Sequence, residues 1–288
     1  MSFGEAVAYG AATIINAMAT GKGAAFGVNL WTKASVQLNN DVGQIECKIL
    51  SEPNEDTVLI REAILSVLKY FKFENKFGAY AETESTIPIA KGLKSSSAAA
   101  NALVLASVAA LSKKLNDTAV LNLSVNAAIS AKTTITGAFD DTCASYFGNI
   151  VITDNKKRKI LQQYEITKGL AVIFHIPHQK SYSYKTDLDK IELIAPQVDL
   201  AFKEALSGHY WKALTLNGML YSASLGYRTD LTFAALKAGA LAAGLSGKGP
   251  ATVAVAHREV APQIIDAWSS YEGNVILADI NQQKATVI

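Results

Sequence analysis

Ser95, Ser96 and Ser97 close a loop that reads Ile87-Pro88-Ile89-Ala90-Lys91-Gly92-Leu93-Lys94, and they open a small-residue run, Ala98-Ala99-Ala100-Asn101. Proline and glycine break the backbone before the serines, and the uncharged, alanine-rich stretch after them favours a helix. That order of parts suits an anion. The first N–H groups of a helix have no intrahelical partner and lie at the positive end of its dipole. Serine hydroxyls beside them can hydrogen-bond phosphate oxygens or ligate Mg²⁺, and small side chains let a polyphosphate approach the backbone. Serine is also an ordinary N-cap, so the residues alone leave a plain cap and a phosphate site side by side.

Two other segments carry residue types suited to chemistry. In Thr136-Gly137-Ala138-Phe139-Asp140-Asp141-Thr142-Cys143-Ala144-Ser145-Tyr146-Phe147-Gly148-Asn149, adjacent carboxylates sit in a stretch otherwise without charge. Burying an unpaired charge is costly, so they need a reason. Either Asp140 or Asp141 caps a short helix, or one of them faces a substrate hydroxyl. Ala242-Ala243-Gly244-Leu245-Ser246-Gly247-Lys248-Gly249-Pro250-Ala251 places three glycines within six residues, between an expected helix and an expected strand. Glycine permits positive φ and close approach to a ligand, although such turns are more often plain connections.

The elements that must position these segments follow from periodicity. Ala34, Val36 and Leu38 alternate with polar residues, as do Ile45, Cys47 and Ile49. With Asn39-Asn40-Asp41-Val42-Gly43 between them, the pattern predicts a hairpin with one solvated face. Ile60, Ile64, Val67, Leu68 and Phe71 have helical spacing, with Asp56 as cap, and Gly78 to Ile87 alternates into the serine loop. After Lys159 the pattern restarts. Strands are expected at Gly169–Ile176, Thr252–Ala256 and Val275–Ile280, and helices at Ala195–Leu206, Tyr210–Ser224, Asp230–Ala243 and Val260–Tyr271. Strands and helices mixed on this scale indicate an α+β layered fold.

A chain of 288 residues can bury a large core in one or two domains. Its net charge of +2 gives no basic footprint, so nucleic acid is not an expected partner. The run Lys156-Lys157-Arg158-Lys159 reads as a solvated turn or an inter-domain connection. Cys47 and Cys143 form no disulfide framework, which points to a reducing, cytoplasmic setting. His175 and His178 lack a third ligand at metal-site spacing and read as structural. Ala6 to Gly21 has no basic n-region, and Ser95 to Ser112 holds too many serines to read as a span, so no membrane partner is expected.

The string P-x-x-x-G-L-x-S-S-S-A, from Pro88 to Ala98, resembles the nucleotide-binding motif of the GHMP kinases. Together with Thr136-Gly137-Ala138-Phe139-Asp140-Asp141, the glycine loop and the N-terminal string Gly10 to Gly27, which contains Thr20-Gly21-Lys22-Gly23, it resembles the archaeal type of shikimate kinase within that superfamily. The likeness runs nearly the whole length, with the motifs in order. It implies a GHMP kinase fold, with a ribosomal protein S5 domain 2-like N-terminal domain over residues 1–158 that binds nucleotide. A ferredoxin-like C-terminal domain over residues 159–288 would complete it.

The same resemblance implies ATP-dependent phosphorylation of the shikimate 3-hydroxyl, in aromatic amino-acid biosynthesis by way of chorismate. Lys91, Gly92, Leu93, Lys94, Ser95, Ser96, Ser97 and Ala98 would bind ATP, with Ser96 or Ser97 on Mg²⁺. Asp141 would be the catalytic carboxylate, with Asp140 as its alternative. Ser246, Gly247, Lys248 and Gly249 would close on the phosphate end. The sequence departs from the superfamily pattern at Ala12, where many members carry a lysine, so Lys22 or another cation would substitute. Ser130 stands near the place of a Mg²⁺-binding glutamate. Lys22, Arg61 and Arg228 are candidates for the acceptor's carboxylate. A different acceptor (homoserine, a mevalonate-like acid or a sugar) and a non-catalytic nucleotide-binding module are the competing readings, which a panel of acceptors with ATP would separate.

Overall fold

A computed structural model describes residues 2–134, 137–178 and 188–288; Thr136, the first residue of the carboxylate segment, lies outside them. Two long strands organise the first half. β1 (Phe3–Ile15) and β2 (Lys22–Asn39) run antiparallel with register shifts near Tyr9/Gly10 and Thr13/Ile15. β2 is long enough to serve two neighbours. Residues 22–26 pair with β5 (Ile150–Asp154) and residues 32–39 with β4 (Gly78–Ser85). β6 (Lys159–Tyr164) extends the sheet beyond β5, so the turn at residues 155–158 lies within one sheet. The chain returns at its end to add β11 (Thr286–Val287) beside β1.

The expected hairpin between residues 34–38 and 45–49 does not form. β3 (Ile45–Ile49) lies parallel to β4, and β4 takes the place beside β2, so β3 reaches β4 through a crossover helix, α1 (Val58–Tyr70). The turn at 39–44 wraps around the start of β4 instead. Ala79 N–H donates to the Gln44 carbonyl at 2.9 Å, and any side chain on Gly78 would strike the Asp41 and Gln44 carbonyls. Asp56 Oδ1 accepts from Val58 N–H at 2.7 Å, but the N-cap of α1 is Thr57, one residue after the expected Asp56.

One face of this sheet carries α1, α2 (Ser95–Ala110), α3 (Asp117–Ser130) and α4 (Phe139–Phe147) over a core of Ala6, Ala8, Val36, Ile64, Leu103 and Val125. Helix α2 is buried nearly all round, and its alanines serve that packing. At Gly4, β1 crosses so close to α2 that a side chain would meet the Ala106 carbonyl and the Ala110 amide. Of the three alanines expected to admit a polyphosphate, Ala98 and Ala100 are buried, and only Ala99 lines the cavity described below.

A second, four-stranded antiparallel sheet is ordered β10-β7-β9-β8, with β7 (Leu170–Ile176), β8 (Ala242–Leu245), β9 (Thr252–His257) and β10 (Asn274–Asp279). Helices α5 (Leu188–Leu193), α6 (Ala195–Leu206), α7 (Tyr210–Leu225) and α8 (Asp230–Lys237) connect β7 to β8, and α9 (Ala261–Trp268) connects β9 to β10. This order is ferredoxin-like. β7 is buried on both faces. Val172 and Phe174 join the core shared with the first sheet and α7, while Ala171 and Ile173 pack on α9 through Ile264 and Trp268.

The helix expected to run to Ala243 stops at Lys237, and residues 242–245 form β8. The glycine loop therefore joins two strands. The reason is close packing. A side chain on Gly244 would meet Gly218 and the Leu214 carbonyl of α7, so β8 must be built from small residues that look helical in sequence.

Candidate active site

The serine loop, the start of α4 and the glycine loop meet at one cavity of about 800 Å³. Ser95, Ser96, Ser97, Gly92 and Lys94 line it from one side, Asp141 from another, and Gly247, Lys248 and Gly249 from the second sheet. Ile49, Val58, Leu59, Ile60 and Ile89 supply an apolar wall, with Ser51, Glu55, Asp56, Thr83 and Ser85 as the polar and charged points of the same lining. Sequence reasoning passed over this wall because its residues read only as strand and helix. Asn16 and Met18, from the turn after β1, also line the cavity.

The two loops are locked together by backbone. Gly92 has φ +92°, and a side chain there would run into the Ser246 carbonyl. Ser246 Oγ donates to the Gly92 carbonyl at 2.8 Å, and Ala251 N–H donates to the Lys91 carbonyl at 3.2 Å. Gly247 N–H donates to Thr13 Oγ1 at 3.0 Å, which fixes the glycine loop to β1. Asn16 Nδ2 donates to the Gly247 carbonyl at 2.9 Å, while Asn217 Oδ1 accepts from Asn16 N–H at 3.0 Å. A short polar chain thus ties the turn after β1, the glycine loop and α7.

α2 starts from Lys94, in the left-handed conformation at φ +63° and ψ +34°, with no side-chain cap. Its first turn holds no acid. The ammonium of Lys94 reaches Asp141 Oδ2 at 3.0 Å, with the two side chains 11% and 13% exposed. Asp141 Oδ1 is buried without a hydrogen-bond partner. Neither carboxylate caps α4, whose N-cap is Ala138.

Asp140 lies behind Asp141 rather than in the cavity. Its Oδ1 accepts from Asn155 Nδ2 at 2.7 Å and its N–H donates to Asn155 Oδ1 at 3.2 Å, while Gly23 leaves the room it occupies. Burial first, and the charge of Asp141 second, push the Asp140 carboxyl up to about 7. Burial, with the nearby charge of Lys94 adding to it, brings the Lys248 ammonium down to about 8.

The remaining expected residues are placed elsewhere. Lys22 pairs with Asp199 of α6 at 3.1 Å over the Phe202 ring and does not line the cavity. Lys91 Nζ donates to the Pro177 and His178 carbonyls at 2.6 Å each, so it anchors the loop to the end of β7. Leu93 and Ala98 are core residues, and Ser246 is buried behind Gly92. Ala12 is fully buried in the core, whereas Ser130 and Lys132 line the cavity. Arg228 pairs with Asp230, and neither it nor Arg61 lines the cavity. His175 is buried against Trp268 and Tyr271, and this burial lowers its pKa. Among the described residues, no group of three His, Cys, Asp or Glu side chains is placed to hold a metal.

A strap from the C-terminal end holds α4 in place. Ala285 N–H donates to the Tyr146 carbonyl at 2.7 Å, and Asn149 N–H donates to the Asn281 carbonyl at 2.8 Å. Lys284 contacts both oxygens of Asp117 at 2.7 Å and lies over the Tyr146 and Phe147 rings. Nothing in the sequence of residues 281–288 announces this role.

The arrangement can bind a polyphosphate at the α2 start and present a carboxylate to a hydroxyl beside it. Comparison with known proteins agrees in kind. Residues 59–149 match the family model described as GHMP kinases N terminal domain, and residues 212–274 the one described as GHMP kinases C terminal. A curated protein of Methanococcoides burtonii named shikimate kinase is 44% identical, with 98% of each chain covered. One of Pyrococcus abyssi with the same name is 44% identical, covering 96% of this chain and 99% of its own. The crystal structure of L. major mevalonate kinase in complex with R-mevalonate superposes with a TM-score of 0.76, covering 98% of this chain and 96% of that one, at 14% identity. At that identity the likeness speaks for the fold alone.

Proposed function

This chain belongs to the GHMP kinases, and we propose that it is a shikimate kinase, transferring the γ-phosphoryl group of ATP to the 3-hydroxyl of shikimate. The observation that carries the reading is the start of α2 facing Asp141 across one cavity. Relatives of the same name, more than 40% identical over nearly the full length, support the choice of acceptor.

Phosphoryl transfer of this kind passes through a loose transition state, so positioning and charge do most of the catalysis. The N–H groups at the start of α2 and the Ser95–Ser97 hydroxyls hold the phosphates. Asp141 accepts the hydroxyl proton as the acceptor oxygen bonds to phosphorus and the bridging oxygen leaves with ADP. General-base help of this sort is worth on the order of 10² to 10⁴ in rate. Lys248 offsets charge as it gathers on the leaving phosphate.

A magnesium ion fits the donor set at the phosphate end. Mg²⁺ keeps several waters and takes few protein oxygens besides those of phosphate, and Ser96 and Ser97 supply two hydroxyls there. When bound with the nucleotide, it neutralises phosphate charge. The apolar wall of Ile49, Val58, Leu59 and Ile89 suits the flat, largely apolar faces of a nucleobase. No described helix is long and apolar enough to cross a membrane, and neither cysteine is in a disulfide, which suits a cytoplasmic enzyme.

The test is ADP release from Mg·ATP with shikimate, homoserine and mevalonate offered separately, followed by phosphorus NMR of the product. Turnover with shikimate, and phosphate on its 3-hydroxyl, is the expected result. Turnover with only another acceptor would overturn the choice of substrate. Nucleotide binding without turnover on any of them would favour a binding module.

A further inference from the structure

Lys94 occupies a backbone conformation that residues with a Cβ disfavour, and glycine would fit it at no steric cost. Its side chain takes no part in capping α2. Instead it is almost wholly buried, with Nζ 3.0 Å from Asp141 Oδ2. On its other side lies the glycine loop, where a side chain at Gly247 would meet Nζ, and Lys248 is near enough to feel its charge. The ammonium therefore stands between the phosphate-binding start of α2 and the carboxylate that serves the acceptor. A strained residue held by its surroundings is a reason to look for function.

One carboxylate is a weaker partner for that ammonium than the terminal phosphate of a nucleotide, which brings more negative charge and more acceptor oxygens. We propose that Lys94 changes partner during the catalytic cycle. Asp141 holds it until nucleotide binds; it then turns to the terminal phosphate and frees Asp141 Oδ2 for the acceptor hydroxyl. The inference deepens the kinase reading above and rests on it. During transfer the acceptor O–H proton passes to Asp141, the acceptor oxygen bonds to the γ-phosphorus, and the bridging oxygen departs with its electron pair on ADP. Lys94 stays with the transferring group throughout. Nucleotide binding and activation of the base are thereby one event.

The test compares wild type with Lys94→Met, Lys94→Arg and Lys94→Gly, using ATP and ADP binding by calorimetry and turnover against pH. Lys94→Met should weaken ATP binding about tenfold while weakening ADP binding far less, because the lost contact is to the terminal phosphate. Its kcat should fall on the order of 10²-fold, with partial recovery in Lys94→Arg. The alkaline limb of its rate profile should move to higher pH, because Lys248 loses a like-charged neighbour. Lys94→Gly suits the backbone and must show the same losses, which separates lost chemistry from misfolding. Equal weakening of ATP and ADP, or a kcat within about threefold of wild type, would overturn the inference. Should wild type ignore shikimate yet still favour ATP over ADP through Lys94, the choice of acceptor fails and the role of Lys94 stands.

Discussion

Two helices begin at this cavity in the same way and with opposite chemistry. Both α2 and α4 start from a non-glycine residue in the left-handed region, Lys94 at φ +63° and Ala138 at φ +45°, and neither has a side-chain cap. The first turn of α2 carries serines and no acid; that of α4 carries Asp140 and Asp141. Uncapped helix starts leave N–H groups free for something other than the protein's own side chains. In the proposed kinase reading, the backbone start of α2, the serine hydroxyls and a lysine together hold phosphate. At α4 the carboxylates occupy the positive end of the dipole themselves, one facing the cavity and one buried behind it. Under the proposed function, the difference gives phosphate to one helix and the acceptor's proton to the other.

The largest effect on nucleotide binding should come from stripping the α2 start of its hydroxyls. Replacing Ser96 and Ser97 together by alanine should weaken ATP binding about 10²-fold by calorimetry, since hydrogen bonds to a charged group contribute about 1.5–3 kcal/mol each. The acceptor's KM should hardly move. A parallel rise in that KM would blur the division between the helices.

A smaller effect should appear at Asp140. Its folded carboxyl titrates near 7, above the ordinary value of 3.8, so the folded chain keeps a proton that the unfolded chain releases between those values. Stability from this group is therefore full below about pH 4 and is lost as pH rises through 7. Asp140→Asn resembles the protonated form and should stabilise the fold by on the order of 2 kcal/mol more at pH 8 than at pH 5. Denaturant melts at the two pH values decide it. An equal effect at both would mean that Asp140 is ionised throughout.

The smallest is conformational. Lys94→Met and Lys94→Gly both lose the ammonium, but only glycine is at ease in the left-handed region. Lys94→Gly should melt about 2 °C or more above Lys94→Met, as expected for roughly 1 kcal/mol of relieved strain. Equal melting would leave the left-handed start of α2 without a cost.

The start of α2 was legible because composition changes abruptly there, from proline and glycine to serine and alanine. The partners across space were not. Alternation at Ile45, Cys47 and Ile49 reports a half-buried strand but not its neighbour, and β4 rather than β2 proved to lie beside it. β8 looked helical because the approach of α7 at Gly218 demands small residues. Lys22 sat in the more suggestive string, yet it pairs with Asp199, whereas Lys94 reaches Asp141 through a fold contact that no local pattern encodes. The carboxylate pair was visible as a cluster. Which of its members faces the cavity was decided by Asn155 and Gly23, far from both in the sequence pattern.

In the proposed mechanism the two helix starts act on one reaction from opposite sides. Asp141→Asn tests it most directly, with ATP affinity and shikimate turnover measured on the same preparation. ATP binding should be kept or strengthened, since asparagine competes less for Lys94, and turnover should fall on the order of 10²-fold or more. Unchanged turnover, or ATP binding lost together with activity, would contradict it.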